Sequence, residues 1–126
     1  MKRLYFLGIF ALCMLSQAHA TACASPKAAT VSDSLVARSL SKFNGPVSID
    51  MILKVRGEMA RISDAYPDSW IPYYYQAWLG IQACLLTRNE QGGMMEDSFQ
   101  QIEKAEKLKS ADMSELYALK AYYYYV

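Results

Sequence analysis

The chain is poor in the residues that carry most covalent and metal chemistry. Among its 126 residues are one histidine, His19, and three cysteines, Cys13, Cys23 and Cys84. Charge of either sign is not in excess: thirteen Lys and Arg oppose twelve Asp and Glu, a net charge of +1. A phosphate-binding domain usually shows a basic surplus, so this balance argues against nucleic acid as a partner. No run alternates polar and apolar residues, which argues against strands. Gly92 and Gly93 lack the following Lys-Ser/Thr of a phosphate loop. What is present is 53% hydrophobic residues with 20% charged. That describes one folded domain, too apolar for a disordered tail.

The first twenty residues read as an export signal. Lys2 and Arg3 precede an uncharged apolar run over residues 4–15, and Ala18-His19-Ala20 ends the segment as an A-x-A cleavage site. The apolar run is shorter than the ~20 residues that span a bilayer. Cleavage after Ala20 takes Lys2 and Arg3 with it and turns the net charge from +1 to −1. It also removes His19, and with it every imidazole. Ser-His-Asp, Cys-His and His-ligated metal chemistry are then excluded, so the expectation is no enzyme, no metal and no cofactor. The two remaining cysteines cannot fill a four-ligand zinc site. In an oxidising compartment a Cys23–Cys84 disulfide is open. Acylation of Cys23 is the other alternative, although Ala20 stands at −3 where a lipobox normally has Leu. The expected location is the periplasm or the exterior.

Residues 21–47 read as a leader plus a weak first helix over residues 31–43, with apolar Val36, Leu40 and Phe43 and Ser32 as its cap. Asn44-Gly45-Pro46 breaks it. The expected domain covers residues 48–126. Ile52, Val55, Met59, Ile62 and Tyr66, at spacings of three and four, predict a second helix over residues 50–66. Lys54 and Glu58 sit at i,i+4 on its polar side. Pro67 ends it, and Ser69 starts a third helix with Pro72 in the first turn. Residues 69–87 carry no charge and show two apolar stripes: Trp70, Tyr73, Ala77, Gly80 and Cys84, then Tyr74, Trp78, Ile81 and Leu85. Pro72, Gln76, Gln82 and the tyrosines suit a helix sandwiched between neighbours better than one in a bilayer. A fourth helix is expected over residues 94–109, with Phe99, Ile102 and Ala105 inward. A fifth follows Asp112, which resembles a capping-box residue with Glu115, and runs to Val126. The class is all-α, an array of antiparallel helix hairpins with about five helices.

The third helix falls on the fifth at a shift of 44 residues. Asp68 meets Asp112, Tyr73 meets Tyr117, Ala77 meets Ala121 and Trp78 meets Tyr122. The helices before them correspond at a shift of 43, with Val55, Met59 and Ile62 on Ser98, Ile102 and Ala105. A recurring helix pair is the sign of an α-solenoid. With Pro67 in the turn, aromatic Tyr73, small Ala77 and Gly80, and the small-large-small set Ser98, Ile102, Ala105, residues 50–126 resemble the tetratricopeptide repeat family. Three departures stand out: a period about ten residues too long for the family's repeat, polar Gln76 and Lys120 where the family prefers apolar residues, and Ala111 in place of the second turn proline. The resemblance implies an exported module that binds a protein or peptide. A rival reading is a structural subunit or lipid-anchored component of an envelope assembly.

In that family the first helix of each pair lines the concave face. The resemblance therefore implies a binding face of Ile71, Tyr74, Trp78 and Ile81 beside Ala118, Tyr122 and Tyr125. The fifth helix has no charge after Lys120, only Ala121, Tyr122, Tyr123, Tyr124, Tyr125 and Val126. Either it folds back on the fourth helix, or another chain covers it, or the array continues. The expectation is an incompletely covered face over Tyr122 to Val126 and self-association through it. The exposed carboxylates, Glu103 and Glu106 among Lys104 and Lys107, read as a solvated helix face. Met94 and Met95 read as packing residues.

Overall fold

A computed structural model describes residues 30–88 and 92–126. The expected signal and leader, with Cys23, lie outside the described residues, as do residues 89–91. Five helices follow one another: α1 (Val31–Leu40), α2 (Ile49–Ala65), α3 (Trp70–Leu86), α4 (Met94–Glu106) and α5 (Met113–Tyr125). Among the described residues there is no strand, and no helix is long and apolar enough to cross a membrane.

The helix starts follow local side-chain chemistry. α1 begins at Val31. Thr30, not Ser32, is its cap: Thr30 Oγ1 accepts from the Asp33 N–H at 3.1 Å and the Asp33 carboxylate accepts from the Thr30 N–H at 2.9 Å. The physical reason is reciprocity. Thr30 has a carboxylate three residues on, whereas Ser32 has Leu35 there. Ser32 instead donates to Ser69 Oγ at 3.0 Å, tying the start of α1 to the start of α3. α1 stops at Leu40 rather than Phe43.

α2 is capped by Ser48, whose hydroxyl accepts from the Met51 N–H at 3.2 Å, and it stops before Pro67. α3 starts after Ser69, with Pro72 in its first turn. Gly93, at φ +77°, turns the chain into α4 through the left-handed region that glycine enters without strain. α4 ends at Glu106, a few residues short of the expected Lys109. The Asp112 carboxylate accepts from the N–H groups of Ser114 and Glu115 at 3.0 and 3.3 Å, which starts α5.

α3 is the centre of the molecule and touches the other four helices. Its main packing is with α4 and α2; it also meets α1 and α5. α2 packs on α1, and α4 on α5. Thus α1, α3 and α5 form one layer and α2 and α4 a second. Val36, Ile52, Val55, Met59, Ile62, Leu79 and Ala83 make one buried cluster, with Met94 packed against it. Ala77, Ile81, Ile102 and Leu119 make another, with Met95, Tyr122 and Tyr123 against it. Val36 of α1 belongs to the first cluster, so α1 shares its core with α2 and α3.

Polar side chains fix the register between layers. Arg56 on α2 donates through Nε to the Gln76 carbonyl at 3.1 Å and pairs with Asp97 on α4, reaching past α3. Gly80 makes room for that crossing. A Cβ there would collide with Ser98 Oγ and sit 3.2 Å from Arg56 Nε. At the α2–α3 junction Gln76 Nε2 donates to Ser63 Oγ at 2.9 Å. At the α4–α5 junction Lys120 Nζ donates to both Glu106 oxygens at 3.0 Å. Glu58 pairs with Lys42 at 2.5 Å, not with Lys54 as the i,i+4 spacing suggested. Lys42 follows α1, so the pair fastens α1 to α2, which a partner on the same helix could not do.

Candidate functional site

α3 carries a row of aromatic side chains in edge-to-face contact, with Tyr75 and Tyr74 resting against the first and second core clusters. Trp70 meets Tyr74 at 5.8 Å between centroids, Tyr74 meets Tyr75 at 5.2 Å, and Tyr75 meets Trp78 at 6.4 Å, all within 8° of perpendicular. This is the arrangement that ring quadrupoles favour. It holds the rings in a ladder while leaving Trp78 36% exposed. Leu85 and Leu86 extend the same side and are exposed. α5 continues it, because Gln82 Nε2 donates to Tyr122 Oη at 3.1 Å. Tyr74 packs against the second core cluster with Tyr122. Burial, and next the nearby Glu115 carboxylate, push the Tyr74 phenol above its ordinary range.

The seven residues expected to line a binding face divide in this setting. Ile71, Tyr74, Trp78, Ala118 and Tyr122 lie on the open side, half-buried or exposed. Tyr125 is 87% exposed, at the edge of that side. Ile81 does not belong there, and this is a correction. It is wholly buried between Ala77 and Ile102. The reason is axial: Ile81 stands only about 20° round the helix from Tyr74 but two turns further along it, where Ile102 and Leu119 cover it.

An open cavity of about 750 Å³ lies at the end of the layer where α1, α3 and α5 begin. Thr30, Val31, Tyr66, Trp70, Ile71 and Asp112 are among its walls. It adjoins the aromatic ladder through Trp70 and Ile71. Asp33 and Asp112 at its rim already serve as caps for α1 and α5.

Among the described residues no three His, Cys, Asp or Glu side chains come together as a metal site. Cys84 is a free thiol, buried beside α4, and burial pushes its pKa up, which makes it a poor nucleophile. Met94 and Met95 pack against the two clusters. The contact of Arg56 with Asp97, which joins α2 to α4, is not announced by the sequence. Their i-to-j separation of 41 residues carries no local signal.

No protein-family model matches the chain, and neither a curated protein nor a solved structure is detectably similar to it.

Proposed function

We propose that this chain is an exported helical-repeat module, similar in kind to tetratricopeptide repeats, that binds an extended or helical peptide segment of a partner and performs no covalent chemistry. The observation that carries the binding reading is the aromatic ladder from Trp70 to Trp78, with Trp78 and Leu85 open to solvent beside Tyr122. Tyr and Trp offer large contact area with a polar tip and dominate binding hot spots.

The repeat reading is supported by the two residues that depart from the family pattern. Gln76 and Lys120 stand 44 residues apart, and their partners Ser63 and Glu106 stand 43 apart. The same polar clasp therefore recurs at both junctions, on the same shifts that relate the apolar residues. The layer order, with α1, α3 and α5 in contact and α2 and α4 behind them, supports it as well. Export rests on the charged start, apolar run and Ala18-His19-Ala20 of the sequence.

Peptide display on the immobilised mature chain tests the reading. Enriched peptides should lose about 30-fold or more in affinity to Trp78→Ala, the equivalent of a ~2 kcal/mol hot spot, while the fold keeps its thermal midpoint. A face that enriches nothing, or a Trp78→Ala chain that unfolds, contradicts it.

A further inference from the structure

We propose that the cleft between α1 and α2, where Arg38, Lys42 and Arg61 converge, is a binding site for a small phosphomonoester. It shares no residue with the aromatic ladder of α3 and does not depend on the repeat reading.

The cleft is an open cavity of about 350 Å³, within the size range of small-ligand sites. Leu35, Ile62 and Tyr66 give it an apolar wall. Three cations line it, Arg38, Lys42 and Arg61, against one carboxylate, Glu58. That carboxylate is already engaged. Lys42 Nζ donates to Glu58 Oε1 at 2.5 Å, and this bond, helped by the Ser39 hydroxyl, holds Glu58 below the usual carboxylate range. Glu58 therefore stays ionised and Lys42 neutralises it. Arg38 and Arg61 are left. Both are exposed, and among the described residues neither has a carboxylate within ion-pair distance. Asp64, one turn beyond Arg61, does not pair with it. The cleft thus keeps two uncompensated positive charges.

The ligand's chemistry follows from that charge and its placement. Two free cations call for a dianion. A phosphomonoester carries about −1.5 to −2 near pH 7 and offers three strong acceptor oxygens. A carboxylate offers one charge and two oxygens in a plane, which a single guanidinium fork satisfies. Here the two guanidiniums belong to different walls, Arg38 to α1 and Arg61 to α2, so they meet a tetrahedral group from two sides. Tyr66 and Ile62 give its organic part an apolar surface to lie on. An anionic membrane fits less well. Membrane-binding segments gather about four to eight cations, whereas exposed Asp50 and Asp64 flank the cleft on α2 and confine the positive charge to it.

The probe is phenyl phosphate, titrated into the full chain by calorimetry. It should bind saturably, one to one, and about tenfold or more tighter than benzoate, the planar monoanion with the same ring. Arg38→Gln and Arg61→Gln should each weaken it about tenfold or more and, both side chains being exposed, keep the parent's thermal midpoint. Arg61→Lys, which keeps the charge and loses the fork, should recover only part of the affinity. Lys54→Gln removes an equal charge from the exposed side of α2 outside the cleft and should change the affinity less than about twofold. Absence of saturable binding overturns the proposal. So does equal affinity for benzoate, or an equal loss from Lys54→Gln and Arg61→Gln. A chain that binds phosphatidate vesicles and is not released by phenyl phosphate overturns it as well, since the cations would then serve a membrane surface.

Discussion

α3 lies between α2 and α4, whereas among the described residues α5 packs on α4 and, more lightly, on α3, and has no helix on its outer flank. Both helices are rich in aromatic and small residues, and α5 is the shorter. Ala77 and Ala121 are the same residue on the same shift, one wholly buried and one exposed. Composition therefore sets what a helix face can pack against, and the neighbour decides whether it does. Gly80 shows the other half of the lesson. On α3 a bare backbone is needed where Ser98 and Arg56 approach. On α5 the matching position carries the ring of Tyr124, which rests against Phe99 and Tyr123 and is otherwise exposed.

The largest expected contrast is between Ile81→Ala and Tyr125→Ala. The first empties a site in the second core cluster and should cost about 3 kcal/mol. The second trims an exposed ring and should cost under about 0.5 kcal/mol. Urea unfolding of the two variants measures the difference; equal costs would erase the distinction between the two faces. Gly80→Val comes next. Its added methyl groups meet Ser98 and Arg56, and overpacking of this kind costs about 2 kcal/mol. Tyr124→Val at the matching place should leave the midpoint nearly unchanged.

The two polar clasps should separate by burial. Gln76→Ala leaves a buried Ser63 hydroxyl with one partner fewer and should cost about 1 kcal/mol. Lys120→Met breaks a pair that water partly screens and should cost about 0.5 kcal/mol. The smallest effect concerns pH. The Lys42 ammonium, by its hydrogen bond, holds Glu58 below the usual carboxylate range. The stability this adds is complete above the ordinary carboxylate pKa and is lost as pH falls through the lowered value. Lys42→Met should therefore flatten the acid side of the stability profile. At the alkaline side Tyr74 and Tyr123 should titrate above ordinary phenols, burial being the main cause in each. Ultraviolet titration of Tyr74→Phe and Tyr123→Phe checks that.

Much of the fold was legible in the residues. The three-and-four spacing from Ile52 to Ile62 marks the buried edge of α2, and Pro67, Gly93 and Asp112 punctuate the chain where helices stop or start. The cap of α1 was not, because Thr30 and Ser32 compete and only a count to Asp33 separates them. The binding face was legible in part. Two apolar stripes on α3 announce two contacts, yet Trp78 and Ile81 share one stripe, and no property of either says which lies under α4. Arg56 was invisible for a different reason. Its partners on α3 and α4 are brought near by packing alone.

Amide hydrogen exchange along α3 and α5 of the monomeric chain tests the account most directly. Amides of Ala77 to Cys84 should exchange only through global unfolding, and those of Ala121 to Tyr125 through local opening at a clearly lower free energy. Equal protection of the two stretches would contradict the account, since the exposed helix α5 would then be held as firmly as the central helix α3.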